Sequence, residues 1–251
     1  MVKPKKHLGQ HFLTDPGISR RIANGLSNEE KLPVLEIGPG KGILTKEILA
    51  TQSDLWAIET DDESIPFLNS HFPELSDKLI HGDFLTFDFQ THFTGKLCLI
   101  GNLPYNISSP ILFKILDNKD IVEEAVFMLQ KEVARRICAD HNNKVYGILS
   151  VLIQTYYDTK YLFTVNEGSF FPPPKVKSGV FKLKRNRELP SPENPVLHKK
   201  IIKAAFNQRR KTMRNSLKGF LLSLPQDAEW LNLRPEQCSV RDFIDISNQL
   251  S

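Results

Sequence analysis

With 251 residues, 40% of them apolar and 25% charged, the chain has the composition of a globular protein, either one large domain or a medium domain with a small appendage. No apolar run reaches the length a bilayer requires, and the basic start MVKPKKHLGQHFL lacks the continuous apolar core of a secretory signal, so no membrane partner is expected. Cys98, Cys138 and Cys238 lie far apart, odd in number and outside any CxxC or Cys/His cluster. That spacing argues against a disulfide framework and against structural zinc, and a cytoplasmic protein with reduced thiols is the simplest reading.

Strand-like and helix-like stretches alternate through the first two-thirds. Pro33 to Ile37 is a short apolar run ending in glycines, and Gly42 to Ala50 has helical spacing. Asp54 to Ile58 is the next strand, followed by a polar helix over 61–71. Lys78 to Ile80 and Lys96 to Ile100 read as strands, with a helix over 107–116 after the second. Glu124 to Leu129 reads as a buried strand and Lys131 to Ala139 as a helix. Such alternation predicts parallel strands joined by crossover helices: a doubly wound, Rossmann-like α/β sheet.

Tyr146 to Tyr157 is apolar at helical spacing, and Ser178 to Leu183 alternates like a strand. Between them Phe170-Phe171-Pro172-Pro173-Pro174-Lys175 is neither helix nor central strand, because proline removes backbone donors. Arg185 to Pro195 is polar with three prolines and reads as a linker. Only helical patterns follow, over 198–206, 212–222 and 239–249, the last preceded by a Ser239/Asp242 cap. The expected organisation is a catalytic domain over 1–185 and a small all-helical domain over 196–251.

The net charge of +4 is mild, but its distribution is not even. Between Val196 and Leu224 no acidic residue occurs, while Lys199, Lys200, Lys203, Arg209, Arg210, Lys211, Arg214 and Lys218 do. Uncompensated positive charge on helices suits a polyanionic partner; the plainer reading is a solvated helix face.

Glu36-Ile37-Gly38-Pro39-Gly40-Lys41-Gly42 ends the first strand and opens a helix. Glycines there let backbone approach a ligand, and the helix start favours an anion such as the methionyl carboxylate of S-adenosylmethionine. A dinucleotide site would need G-x-G-x-x-G, whereas the spacing here is G-x-G-x-G with Ile43 in the third place. Glu59, at the end of the second strand, can accept from both ribose hydroxyls. Asp83 can accept from the adenine amine of that ligand, with Phe84 against its ring. Asn102-Leu103-Pro104-Tyr105 follows the fourth strand, at the carboxyl edge where open α/β sheets place ligands. An adenine amino nitrogen is a poor nucleophile, since its lone pair is delocalised into the ring. The Asn102 side-chain oxygen and the Leu103 carbonyl can hold its hydrogens, Pro104 stiffens the backbone, and Tyr105 offers a stacking face.

With these motifs in this order, the chain resembles the ribosomal RNA adenine dimethyltransferase family, in its small-subunit branch. The similarity runs from HLGQHFL at 7–13 through EIGPGKG, GNLPYNIS at 101–108, FMLQKEVA at 127–134 and FFPPPKVKSGV at 170–180 to FNQRRKTMRNSL at 206–217. The resemblance implies S-adenosylmethionine-dependent dimethylation of adenine amines in 16S rRNA, within the small ribosomal subunit or its precursor, by a monomeric enzyme of ribosome biogenesis. It implies that His11, Leu13, Gly38, Glu59, Asp83 and Asn102 line the cofactor site, to which the reading of the glycine loop and of the third strand end adds Gly40 and Phe84. Asn102, Leu103, Pro104 and Tyr105 would hold the target amine, with Phe170 stacked on the flipped base opposite Tyr105. One departure is His11, where the family often has asparagine; imidazole can still donate or accept. The rival readings are a large-subunit methylase of the macrolide-resistance type, an assembly factor with little catalysis, and, most distantly, a dinucleotide oxidoreductase.

Overall fold

The structure, a computed structural model, describes residues 2–5, 8–223 and 227–250, with backbone alone at 221–223. His7, which opens the first motif, and Leu224, which closes the acid-free span, lie outside the described residues. Two compact units are formed, Met1–Ala134 with Lys160–Arg185, and Arg135–Thr159 with Asn186–Ser251.

In the first unit, β2 (Val34–Ile37), α2 (Ile43–Leu49), β3 (Leu55–Glu59), α3 (Ser64–His71), β4 (Leu79–His81), β5 (Leu97–Asn102), α4 (Ser108–Asp117) and β6 (Val122–Gln130) follow the expected alternation. These strands pair in parallel in the order β4-β3-β2-β5-β6. The apolar runs are continuous because both faces are covered: β2, β5 and β6 are buried over almost their whole length. Two further strands, β7 (Tyr157–Val165) and β9 (Ser178–Arg185), extend the sheet to seven, with β9 antiparallel to β6. The fold is therefore α/β and Rossmann-like, with a mixed edge.

Strand order reverses between β2 and β5, which lie side by side with Ile37 opposite Gly101. At that switch point the carboxyl ends of two adjacent strands lead in opposite directions, and a crevice opens between their loops. The crevice receives the glycine loop from β2 and the Asn102 segment from β5.

Sequence patterning passed over the N-terminal elements. Here β1 (Phe12–Leu13) pairs antiparallel with β8 (Phe170–Phe171), and α1 (Pro16–Ala23) begins at an Asp15 cap whose carboxylate accepts from Gly17 and Ile18 N–H. A two-residue strand carries no periodicity to read, which is why neither β1 nor β8 was visible.

In the second unit α6 (Ile148–Gln154) packs against α7 (Pro195–Asn207) and α9 (Val240–Asn248). The first unit ends at Arg185, and the segment 135–159, which the sequence pattern places within 1–185, groups with the helical unit. Buried hydrogen bonds explain the grouping. His198 Nε2 meets Thr155 Oγ1 at 3.0 Å and its Nδ1 meets Ser247 Oγ at 2.7 Å, joining α6, α7 and α9. Burial pushes the His198 pKa down to about 4, so the ring is neutral there. The helix expected over 212–222 is only α8 (Met213–Ser216), after which the chain tightens into a 3-10 turn at Lys218–Ser223. At α9 the Ser239/Asp242 cap forms as expected, each side chain bonding the other's backbone N–H.

Candidate active site

A cavity of about 270 Å³ opens at the switch point of the first unit. His11, Gly38, Gly40, Glu59, Asp83, Phe84 and the whole Asn102–Tyr105 segment line it, as does the stretch Leu8–Phe12. Gly38, Glu59 and Asn102, spread over more than sixty positions of sequence, are thus brought together by the parallel register of β2, β3 and β5.

Each end of the cavity is rigidly built. Gly38 has φ +68°, and a Cβ placed on it would meet nothing within 4 Å, so the loop presents open space to a ligand instead of a side chain. Glu59 is buried, with both carboxylate oxygens engaged. Its Oε2 accepts from Gly40 N–H at 2.9 Å, and its Oε1 from Thr60 and Asp61 N–H at 2.8 and 2.9 Å. Burial raises its pKa, against the pull of these three hydrogen bonds. Asp83 is exposed and accepts from Leu85 N–H at 2.9 Å, while Phe84 is buried edge-on to Phe89. Lys114 donates from α4 to the carbonyls of Leu85 and Phe87, at 3.0 and 2.5 Å, and so holds the Asp83–Phe84 loop in place.

Around Asn102 the donors and acceptors are sorted. Its Nδ2 donates to the His11 carbonyl at 2.9 Å, which leaves Oδ1 as the acceptor turned away from that bond. Leu103 N–H donates to Met128 O at 2.9 Å, anchoring the segment to β6. The Tyr105 hydroxyl lies 2.5 Å from Ser178 Oγ, and burial raises its pKa, so the phenol keeps its proton. His11 Nδ1 meets Pro172 O at 2.7 Å, and the imidazole lies 5.6 Å from the Tyr105 ring.

Two of the expected site residues, Leu13 and Phe170, are not on the cavity wall. Side chains alternate along a strand, and directly opposed residues of an antiparallel pair share a face. Phe12 and Phe171 are opposed, as are Leu13 and Phe170. Leu13 and Phe170 both turn into the hydrophobic core beside Met128 and Val180, with Phe170 only 4% exposed. Phe12 lines the cavity, and Phe171, on the same face, is 58% exposed.

The sequence profile described as ribosomal RNA adenine dimethylase matches residues 1–250. The chain belongs to this family. Among adenine dimethylase relatives, proteins named ribosomal RNA small subunit methyltransferase A are 51% identical in Parabacteroides distasonis, over 98% of this chain and 94% of the relative. In Cytophaga hutchinsonii the figure is 49%, over 100% and 98%. A crystal structure of a dimethyladenosine transferase from Plasmodium falciparum superposes with a TM-score of 0.75, covering 94% of this chain and 96% of that one at 24% identity. For the 23S rRNA methyltransferase ErmE the TM-score is 0.72, covering 95% and 99%, again at 24%. These two likenesses concern the fold.

One contact beside the dimethylase cavity had no signal in the sequence. Lys5 pairs with Asp61, a carboxylate buried in the turn after Glu59, and its Nζ lies 3.4 Å from Glu63. Burial alone would raise the Asp61 pKa, but hydrogen bonds from Lys5, Ser64 and the Glu63 N–H hold it below the usual carboxylate range. The arm carrying Leu8–His11 is thereby fastened to the turn that follows β3.

Of the basic residues in the second unit, Lys200, Lys203, Arg210, Lys211 and Lys218 are exposed. Lys199 and Arg214 are half-buried with partners of their own, and Arg209 is occupied within the fold, as described below. No group of three or more His, Cys, Asp or Glu among the described residues is placed to hold a metal, and no helix among them is long and apolar enough to cross a membrane.

Proposed function

We propose that this dimethylase transfers methyl groups from S-adenosylmethionine to the exocyclic amine of adenines in small-subunit (16S) rRNA, giving dimethyladenosine, during ribosome biogenesis. The observation that carries the reading is the single cavity in which Gly38, Glu59 and Asp83 share a wall with Asn102–Tyr105. Relatives half identical over the full chain carry the small-subunit name, which favours that substrate over the large-subunit alternative.

The residues fit S-adenosylmethionine. The open cradle at Gly38 accepts a chain where a Cβ would intrude, Glu59 keeps one carboxylate lone pair, on Oε2, for a ribose hydroxyl, and Asp83 with Phe84 offers an acceptor beside an apolar face. When bound, S-adenosylmethionine supplies a methyl group on a positively charged sulfur. Asn102 Oδ1 and the Leu103 carbonyl accept from the two hydrogens of the adenine amine and aim its lone pair. Tyr105, fixed through Ser178, gives the extruded base a stacking face. No strong general base stands among these groups, so the residues act by positioning and electrostatics.

The exposed lysines and arginines of the second unit contact rRNA phosphates, setting affinity and not the atom modified. Such an enzyme works as a monomer in the cytoplasm, where small subunits assemble. The test offers unmethylated small subunits and large-subunit rRNA with tritiated S-adenosylmethionine, then maps the modified adenines. Label confined to adenines of the small-subunit rRNA is expected. Label in the large-subunit rRNA means the macrolide-resistance type, and binding without label means an assembly factor.

A further inference from the structure

The second unit holds a cleft of its own, about 310 Å³, lined by Asn142, Asn143, Lys144, Arg234, Glu236 and Gln237. Its two walls are separate pieces of chain, the loop before α6 and the turn before α9. They are locked together: Asn142 N–H donates to Glu236 O at 2.7 Å, and Arg209 donates from Nη2 to Lys144 O at 2.5 Å. Arg209 also places its Nε 3.6 Å from Glu236 Oε2, an ion pair without a hydrogen bond, so the one carboxylate of the cleft faces a cation of the same unit. The loop itself is stiffened by Val145 N–H bonding Asn143 Oδ1 at 3.0 Å, and the turn by Arg234 N–H bonding Gln237 Oε1 at 2.8 Å. Asn142 has φ +65°, a left-handed conformation that asparagine tolerates better than most residues.

With Glu236 matched by Arg209, the charge presented to solvent is that of Lys144 and Arg234. Both are exposed, and neither has a carboxylate partner among the described residues. Three carboxamides stand beside them, and no aromatic residue lines the cleft. Cations with amides suit phosphate oxygens and ribose hydroxyls. Without an aromatic face there is nothing on which a base would stack, as single-strand readers require.

We infer that the cleft between Asn142–Lys144 and Arg234–Gln237 is a docking site for the ribose–phosphate backbone of folded RNA, with Lys144 and Arg234 on phosphates and Asn142 on a ribose hydroxyl. The inference rests on the proposed rRNA substrate and adds a site outside the acid-free span. It makes Arg209 a strut of the cleft and not itself a phosphate ligand. Because only backbone is read, the cleft contributes affinity and register, and leaves the choice of adenine to the first unit.

The test uses the full chain carrying Lys144→Gln with Arg234→Gln, and separately Asn142→Gly, which keeps the left-handed turn and removes only the amide. Binding to unmethylated small subunits is measured across a salt series. The double variant is expected to bind roughly tenfold more weakly near physiological salt, with a log–log slope smaller in magnitude by about two. Asn142→Gly is expected to weaken binding by a smaller factor without changing the slope. Melting temperature, S-adenosylmethionine affinity and the methylation map at saturating subunits should match the parent protein. A folded double variant with parental affinity and slope overturns the site, as does a loss confined to S-adenosylmethionine affinity. If the parent protein itself places no methyl groups on small subunits, the proposed function fails instead, which the parental arm shows directly.

Discussion

Asn102 donates its amide nitrogen to the carbonyl of His11, 2.9 Å away, and that bond decides which end of the carboxamide faces the cavity. An amide held in this way presents Oδ1 to an incoming donor without reorganising during reaction, the condition under which a hydrogen bond acts chiefly in the transition state. Asn102→Ala should therefore lower single-turnover rate by on the order of 100-fold or more, the loss typical of one preorganised polar group. Calorimetry should find S-adenosylmethionine affinity within a few-fold of the parent. A rate near the parental one, with weakened cofactor binding, would move Asn102 from the amine to the cofactor.

Glu59 links the cofactor wall to the loop at Gly40, since one carboxylate receives three backbone N–H groups. Replacing it by alanine removes these acceptors together with the one proposed for a ribose hydroxyl. S-adenosylmethionine affinity should fall by about 1–3 kcal/mol, read by calorimetry. A Glu59→Gln variant that keeps parental affinity would show that the charge is not used.

The β1–β8 ribbon ranks two neighbouring phenylalanines. Phe170→Ala opens a hole in the core and should destabilise the fold by about 3–5 kcal/mol, measured by denaturant unfolding. Phe171→Ala should leave stability nearly unchanged and weaken capture of RNA by about 1–3 kcal/mol, the worth of one base–aromatic contact. If a fold-preserving Phe170→Leu variant harms RNA capture more than Phe171→Ala does, then the ribbon turns over on binding and Phe170 stacks on the base.

Glu36 is buried beneath the glycine loop, where burial, resisted by the Thr45 hydroxyl and reinforced by Glu59, pushes its pKa up to about 8. The folded state thus holds a proton that the unfolded chain releases near pH 4.5. Between these values the native state binds more protons, so this group makes stability fall as pH rises, by up to about 1.4 kcal/mol per pH unit. Glu36→Gln should flatten the dependence of melting temperature between pH 5 and 8 and gain most relative to the parent near pH 8. Parallel profiles for the two proteins would show that Glu36 ionises normally.

Lys5 fastens the N-terminal arm to Asp61 beside the cavity. Lys5→Met should speed S-adenosylmethionine release in stopped-flow measurements several-fold and leave the rate of the committed step unchanged. An unaltered release rate would mean that the arm holds without this ion pair.

Chain-local properties were legible from the sequence. The apolar runs of β2, β3, β5 and β6, the glycine loop, Glu59 and Asn102–Tyr105 announce themselves because a doubly wound sheet repeats one local rule, strand then helix, and places ligand residues at strand ends. Two-residue pairing was not legible: β1 and β8 are joined across more than 150 residues, and only their register turns Phe12 and Phe171 one way and Leu13 and Phe170 the other. Nor could the sequence show that 135–159 leaves the first unit, since α6 has the same apolar spacing wherever it packs and buried bonds from His198 decide its partner. Arg209 makes the same point. In the sequence it is one cation in an acid-free run; in the fold, a hydrogen bond to Lys144 O and proximity to Glu236 consume it. Motif and periodicity depend on neighbours along the chain, whereas the facing of a side chain and the pairing of a charge depend on neighbours in space. Only tertiary structure supplies those.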